Sequence, residues 1–291
     1  MTREIHPATR LGAVHLTVAS LERQIAFYQQ ALGLCLHWQD EGMAGLGAGG
    51  EDLLVLTEMS GAKRVPRTTG LYHFALLLPT RRELARSVMR LAQQKVPQSP
   101  TDHLMTETTY LSDPEGNGIE LYVDTPEDGF FGEENGQVVA RDRNGKLRSG
   151  RDPLDVDELL THLQPGDRFD TPVDPATKMG HIHLHVAAIE PTMHFYRDVL
   201  GFGKQIENAT AGFVSAGGYH HHIGFNTWVG RGAPPPPQGA LGLRYYTVVV
   251  PEQGELERIE ARLLAAGVPV ERRPDGLIVA DPSQNYLRLT V

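Results

Sequence analysis

One part of this chain can be laid over another without a gap. The stretch GAVHLTVASLERQIAFYQQALGL, from Gly12, aligns with GHIHLHVAAIEPTMHFYRDVLGF, from Gly180. His15 meets His183, Val18 meets Val186, Phe27-Tyr28 meets Phe195-Tyr196, and Leu32-Gly33 meets Leu200-Gly201. Each copy reads as an alternating strand and then an amphipathic helix that stops at glycine, the residue best able to take the left-handed backbone of a helix end. A repeat constrains the architecture before any single residue does, because each copy must build the same unit.

A second pair of repeats is also present. GLYHFALLLPTRRELARSVMRLAQQKVP, from Gly70, matches GLRYYTVVVPEQGELERIEARLLAAGVP, from Gly242, through Pro79/Pro251, Leu84/Leu256, Leu91/Leu263 and Pro97/Pro269. Both continue to an Asp-Pro turn and a closing strand: Asp113-Pro114 before GNGIELYV, and Asp281-Pro282 before QNYLRLTV. All four units share one plan: strand, helix, then about three short strands between Gly, Asp and Pro turns. They fall at about 10–60, 68–125, 178–230 and 239–291.

The expected fold class is α+β: four βαβββ modules paired into two curved, cup-like mixed sheets with helices outside. A lone module leaves sheet edges unfinished, so modules must join edge to edge. Modules one and two occupy residues 1–125, a linker or extension 126–177, and modules three and four 178–291, with two and three as a candidate pair around a metal. The extension is polar and rich in Asp and Gly, without sustained periodicity, and DPLDVDELLTHL within it reads as one short helix. Pro234–Pro237 reads as a stiff polyproline linker.

Composition narrows the function. A net charge of -9 argues against nucleic acid or an anionic membrane surface as partner. No apolar run approaches the ~20 residues of a membrane span, and MTREIHPATRLG lacks the apolar core of a secretory signal. The single cysteine, Cys35, excludes an intrachain disulfide and fits a reducing compartment, so a cytoplasmic protein is expected. Placed between a helix and a strand, Cys35 reads as a structural residue.

With these motifs in place, the sequence resembles the vicinal oxygen chelate superfamily, which includes glyoxalases, thiol transferases, bleomycin-sequestering proteins and extradiol dioxygenases. The carriers are HLTVASLERQIAFYQQALGL, HLHVAAIEPTMHFYRDVLGF, DPEGNGIELYV and GGYHHHIGFN. Four modules together with GLYHFALLLP and GGYHHHIGFN look most like its catechol-2,3-dioxygenase branch. The resemblance implies metal ligands near the start of a module's first strand and on its closing strand. The first-strand position falls on Ala13, His73, His181 and Tyr245; the closing-strand position falls on Glu120 in module two and Arg288 in module four.

Ala13, Tyr245 and Arg288 cannot make a divalent cation site, whereas His73, Glu120 and His181 can. That is the two-histidine, one-carboxylate set of non-haem Fe(II), with Mn(II) also suited to it. It requires module two to pair with module three. Sequential pairing would instead use His15, and His183 shares the strand face of His181, so both remain alternative first-strand ligands. Glu120, between Ile119 and Leu121, is a carboxylate whose burial needs a cation or an arginine partner.

His220, His221 and His222 lead into the apolar IGFNTW, where relatives of this kind carry an acid–base histidine. Alignment on the glycines sets His221 opposite Glu120 and makes it the first choice, with His220 or His222 selected by a one-residue slip. Tyr245 or Tyr246 is a further candidate for orienting a substrate oxygen. The implied reaction is extradiol cleavage of a small aromatic diol by O₂. A glyoxalase-like isomerase or thiol transferase is one rival, and a metal-free aromatic-binding protein is another. The fold's sheet edges are compatible with a homo-oligomer.

Overall fold

A computed structural model describes residues 4–291. Module one runs β1 (Arg10–Val18), α1 (Leu21–Leu32), β2 (Cys35–Asp40), β3 (Met43–Gly47) and β4 (Asp52–Glu58). Module two runs β5 (Gly70–Leu77), α2 (Arg81–Gln93), β6 (Ser99–Asp102), β7 (Thr106–Ser112) and β8 (Gly118–Asp124). The extension forms the hairpin β9 (Gly129–Glu134) and β10 (Gln137–Asp142), then β11 (Asp152–Pro153) and α3 (Val156–Leu160).

Module three comprises β12 (Lys178–His185), α4 (Ile189–Met193), a π-helical turn His194–Val199, β13 (Gly203–Glu207), β14 (Ala211–Ser215) and β15 (Ile223–Asn226). Module four comprises β16 (Gly242–Val249), α5 (Gln253–Ala265), β17 (Glu271–Arg273), β18 (Gly276–Ala280) and β19 (Tyr286–Thr290). Besides the hairpin, the strands make one eight-stranded and one nine-stranded sheet. Both are mixed, since β5–β8, β12–β15 and β16–β19 pair in parallel while the outer strands pair antiparallel. Among the described residues, no helix is long and apolar enough to cross a membrane.

The chain divides into two compact units. The first holds residues 4–19, Met59–Tyr72 and Gly180–Val291; the second holds Ser20–Glu58 and His73–Met179. In the first, strands lie in the orders β17-β18-β19-β16-β1 and β12-β15-β14-β13. In the second, the orders are β4-β3-β2 and β11-β6-β7-β8-β5.

Inside each unit, consecutive modules are tied in the same two ways. Tyr28, on the buried face of α1, donates its hydroxyl to Asp113 Oδ2 at 2.7 Å in the turn before β8. Asp113 also accepts the backbone N–H groups of Glu115 and Asn117, at 2.9 and 2.8 Å, and so holds the turn shut. Tyr196 repeats the contact on Asp281 at 3.2 Å, and Asp281 accepts from the N–H groups of Ser283 and Asn285. The Phe-Tyr pair of the repeat is thus a helix-to-turn anchor.

The second tie is an arginine. Arg90 of α2 is 2 % exposed and donates from Nη1 to the carbonyl of Leu32, at the C-terminal end of α1, at 3.0 Å. Arg262 of α5 donates from Nη2 to the carbonyl of Leu200 at 2.7 Å. Each guanidinium satisfies helix-end carbonyls that have no partner within their own helix.

Three local features differ from the sequence expectation. The extension, expected to lack regular structure apart from one short helix, also holds a hairpin. Its turn is Asn135-Gly136, with φ of 51° and 77°, the left-handed pair that a two-residue hairpin requires. In module three the helix widens into a π-turn before it stops at Gly201, where φ is 92°. The three consecutive histidines precede β15 in an irregular segment, so strand alternation does not assign their faces.

Candidate metal centre and its surroundings

In module two, β5 and β8 run parallel with His73 opposite Gly118 and Ala75 opposite Glu120. Side chains on a strand alternate, so His73, Ala75 and Glu120 share one face of the sheet. His73 is 5 % exposed and Glu120 3 % exposed, and His73 Nε2 lies 3.1 Å from Glu120 Oε2. A carboxylate this deep is stable only beside a cation or a strong donor. Two donor atoms about 2.1 Å from one cation at a near right angle are about 3 Å apart, so the pair's spacing fits bidding for a single ion.

Behind this pair stands a relay absent from the sequence expectation. Tyr110 of β7 faces Glu120 directly across the antiparallel ladder, and its ring centre lies 5.5 Å from that of His73. Tyr110 Oη is 2.9 Å from His103 Nε2, and His103 Nδ1 is 2.6 Å from the Gly150 carbonyl. A carbonyl only accepts, so Nδ1 carries the proton; in the neutral ring Nε2 then accepts from the Tyr110 hydroxyl. The β7–β8 register, counted back from the Asp-Pro turn, is the signal that finds Tyr110. His103 has no such marker, because the loop carrying Gly150 supplies its second contact.

In module three, β12 carries His181, His183 and His185 on one face by alternation, with His181 2 % and His183 4 % exposed. His221 packs against His181 with ring centres 4.2 Å apart, and His220 is at 6.0 Å. His220 Nδ1 and His221 Nδ1 are 2.9 Å apart, so one ring donates and the other accepts. His222 instead uses Nδ1 to accept the Ala216 N–H at 3.1 Å, a structural role within its own loop.

The alignment on glycines does not survive the strand register. Glu120 faces the residue two beyond His73; the residue two beyond His181 is His183, and it faces Gly224. Gly224, not His221, therefore occupies the closing-strand position of module three. A Cβ at Gly224 would stand 3.1 Å from the His183 ring, so the glycine makes room for that imidazole. His221 meets His181 from the preceding loop.

Modules one and four place the remaining candidates. Thr247, two beyond Tyr245, faces Arg288, which repeats the relation of Ala75 to Glu120. Arg288 lies over the Tyr245 ring, 5.5 Å from its centre, and Tyr245 meets His15 edge-on at 4.8 Å. Burial above all, then the charges of Arg244 and Arg288, lower the pKa of His15 to about 4. Tyr246 is fully buried and its hydroxyl donates to Tyr196 at 2.9 Å, which removes it as a substrate-orienting group. Cys35 is a free thiol at the start of β2.

The family model for the glyoxalase/bleomycin resistance protein/dioxygenase superfamily matches residues 10–121 and 178–288. The chain belongs to that superfamily. It is 42% identical over 283 residues to catechol-2,3-dioxygenase of Bacillus subtilis (strain 168), covering 96% of this chain and 95% of that one. A shorter match, 38% identical over 79 residues, joins 25% of this chain to 42% of biphenyl-2,3-diol 1,2-dioxygenase 3 of Rhodococcus globerulus. Among solved structures, glyoxalase I of Zea mays shares the fold at TM-score 0.57 and 16% identity, covering 97% of this chain and 92% of its own. The cppA protein of Streptococcus pneumoniae does so at TM-score 0.53 and 12% identity, covering 99% and 98%.

Proposed function

We propose that this protein is a metal-dependent extradiol dioxygenase, opening a catechol-type ring beside its two hydroxyls with O₂. The observation that carries the reading is the buried His73–Glu120 pair, 3.1 Å apart on the first and closing strands of one module. In this reading His181, also buried, is the third ligand. Two imidazoles and one carboxylate suit Fe(II) first and Mn(II) second, and leave coordination positions for a diol and O₂. This assignment pairs module two with module three and module one with module four. Similarity to the Bacillus catechol-2,3-dioxygenase along nearly the whole chain supports the reaction class.

When bound, such an ion acidifies the diol oxygens as a Lewis acid and supplies the electron path to O₂. The chain's own residues do the rest. His221, held against His181, offers an imidazole suited to taking and returning a proton near neutral pH. Tyr110, with its hydroxyl turned toward His103, sets its ring beside His73.

The direct test is to load the protein with Fe(II) under anaerobic conditions, add catechol, admit air, and follow O₂ uptake with the yellow ring-opened semialdehyde. Stoichiometric uptake with the yellow product is expected. Retention of Fe(II) without turnover of any diol would remove the reaction class, and failure to bind Fe(II) or Mn(II) would remove the ligand assignment.

A further inference from the structure

The His181 strand continues into an aromatic run that the metal assignment does not use. Phe213 lies against both His221 and His183, with ring centres at 4.9 and 5.4 Å. Beyond His183 comes Trp228 at 5.6 Å. Tyr72 closes the group, meeting His183 and His185 at 5.1 Å each and Trp228 at 5.2 Å, nearly perpendicular at 88°. The rings form one continuous surface from His181, buried, to Trp228, 49 % exposed.

An indole left half in water forgoes much of its burial free energy, so its exposure calls for a reason. Trp228 is also held firmly. Asn226 is fully buried at the end of β15, and its Oδ1 accepts the Trp228 N–H at 3.0 Å and His185 Nδ1–H at 2.9 Å. The backbone N–H can only donate, which settles the amide's orientation and turns Nδ2 toward His183 Nε2 at 3.0 Å. One carboxamide therefore fixes two imidazoles and the start of the tryptophan segment. An exposed indole just beyond β15, the strand paired with that of a candidate ligand, with its backbone pinned by Asn226, is a preformed apolar contact, and preformed contacts bind with little ordering cost.

We propose that Trp228 and Tyr72, positioned through Asn226, form the outer wall of the substrate site and select aromatic diols carrying an apolar substituent over bare or carboxylated ones. The proposal rests on the ring-cleavage reading. The wall presents ring faces and edges, which match an alkyl or aryl group and give a carboxylate nothing to replace its hydration.

The test compares Fe(II)-loaded wild-type, Trp228→Ala and Trp228→Phe proteins on catechol, 4-tert-butylcatechol and 3,4-dihydroxybenzoate. Trp228→Ala should lower the ratio of kcat/KM for 4-tert-butylcatechol over catechol about tenfold, through KM rather than kcat. Trp228→Phe should restore most of it. An equal fall on both substrates, no fall, or a wild-type preference for the carboxylated diol overturns the assignment. A second measurement separates this from failure of the reaction itself: in a Trp38→Phe protein kept under argon, Trp228 is the sole tryptophan. Saturable quenching of its fluorescence by 4-tert-butylcatechol supports the wall even if no diol is cleaved, and an unchanged spectrum sinks it even if catechol is.

Discussion

Modules two and four are the same piece of backbone put to opposite chemical uses. In both, the residue two beyond the first-strand position faces the closing-strand position: Ala75 faces Glu120, and Thr247 faces Arg288. Module two fills the two positions with His73 and Glu120, a base and an acid 3.1 Å apart that the proposal gives to a cation. Module four fills them with Tyr245 and Arg288, where the guanidinium supplies the positive charge itself and rests on the ring. If the ion binds as proposed, two side chains decide its place on this scaffold, because the strand register is common to both modules. One nearby histidine follows suit: His15, facing arginines, is held neutral.

The largest effect should come from attacking each member of the comparison in turn. Glu120→Gln is expected to weaken Fe(II) or Mn(II) binding on the order of 100-fold or more, read by metal analysis after dialysis. Arg288→Gln should leave metal content as it was; equal loss in both variants would end the contrast.

Next comes pH. His15 has its folded pKa lowered to about 4 from 6.5, so its contribution is fully present above pH 6.5. It is lost progressively as pH falls toward 4, because the unfolded chain takes up the proton first. The loss should amount to about 3 kcal/mol across that window. His15→Gln should flatten this part of the stability profile in chemical denaturation; an unchanged slope would mean that His15 titrates normally.

A smaller effect is expected at the anchors. Tyr28→Phe removes a donor from the buried Asp113 and should cost about 2 kcal/mol in denaturant unfolding. Tyr196→Phe should cost more, since Tyr196 also accepts from Tyr246. The smallest is Gly224→Ala, where the new methyl would stand 3.1 Å from the His183 ring. About 1 kcal/mol is expected, with a shifted His183 imidazole resonance in NMR spectra, while Gly203→Ala, with its nearest atom at 3.5 Å, should do little.

The repeats made the four modules legible, with strand and helix order, the stops at Gly33 and Gly201, and the Asp-Pro turns, because hydrophobic period and turn chemistry are local. The superfamily, too, could be read from those motifs. Register was not legible in module three: the loop before β15 carries extra residues, and alignment on glycines placed His221 where Gly224 lies. Tyr110 and His103 were missed for a related reason, since a cross-strand partner and a loop carbonyl are long-range facts. The hairpin at Asn135-Gly136 is the instructive omission. Its turn dipeptide is a strong local signal, but its strands lack the alternation that would mark one buried face.

The tyrosine anchors bear on how the chain acquires its structure. Tyr28 and Asp113 are 85 residues apart, and so are Tyr196 and Asp281. During synthesis, a ribosome that has released only the first module exposes a helix whose hydroxyl has no carboxylate to meet. Two successive modules are therefore the smallest segment that can close, and each closure is a long-range event of the kind that slows folding. A pause in translation between the anchor and its turn would leave an apolar helix face open to chaperones or to aggregation, and it would do so twice per chain.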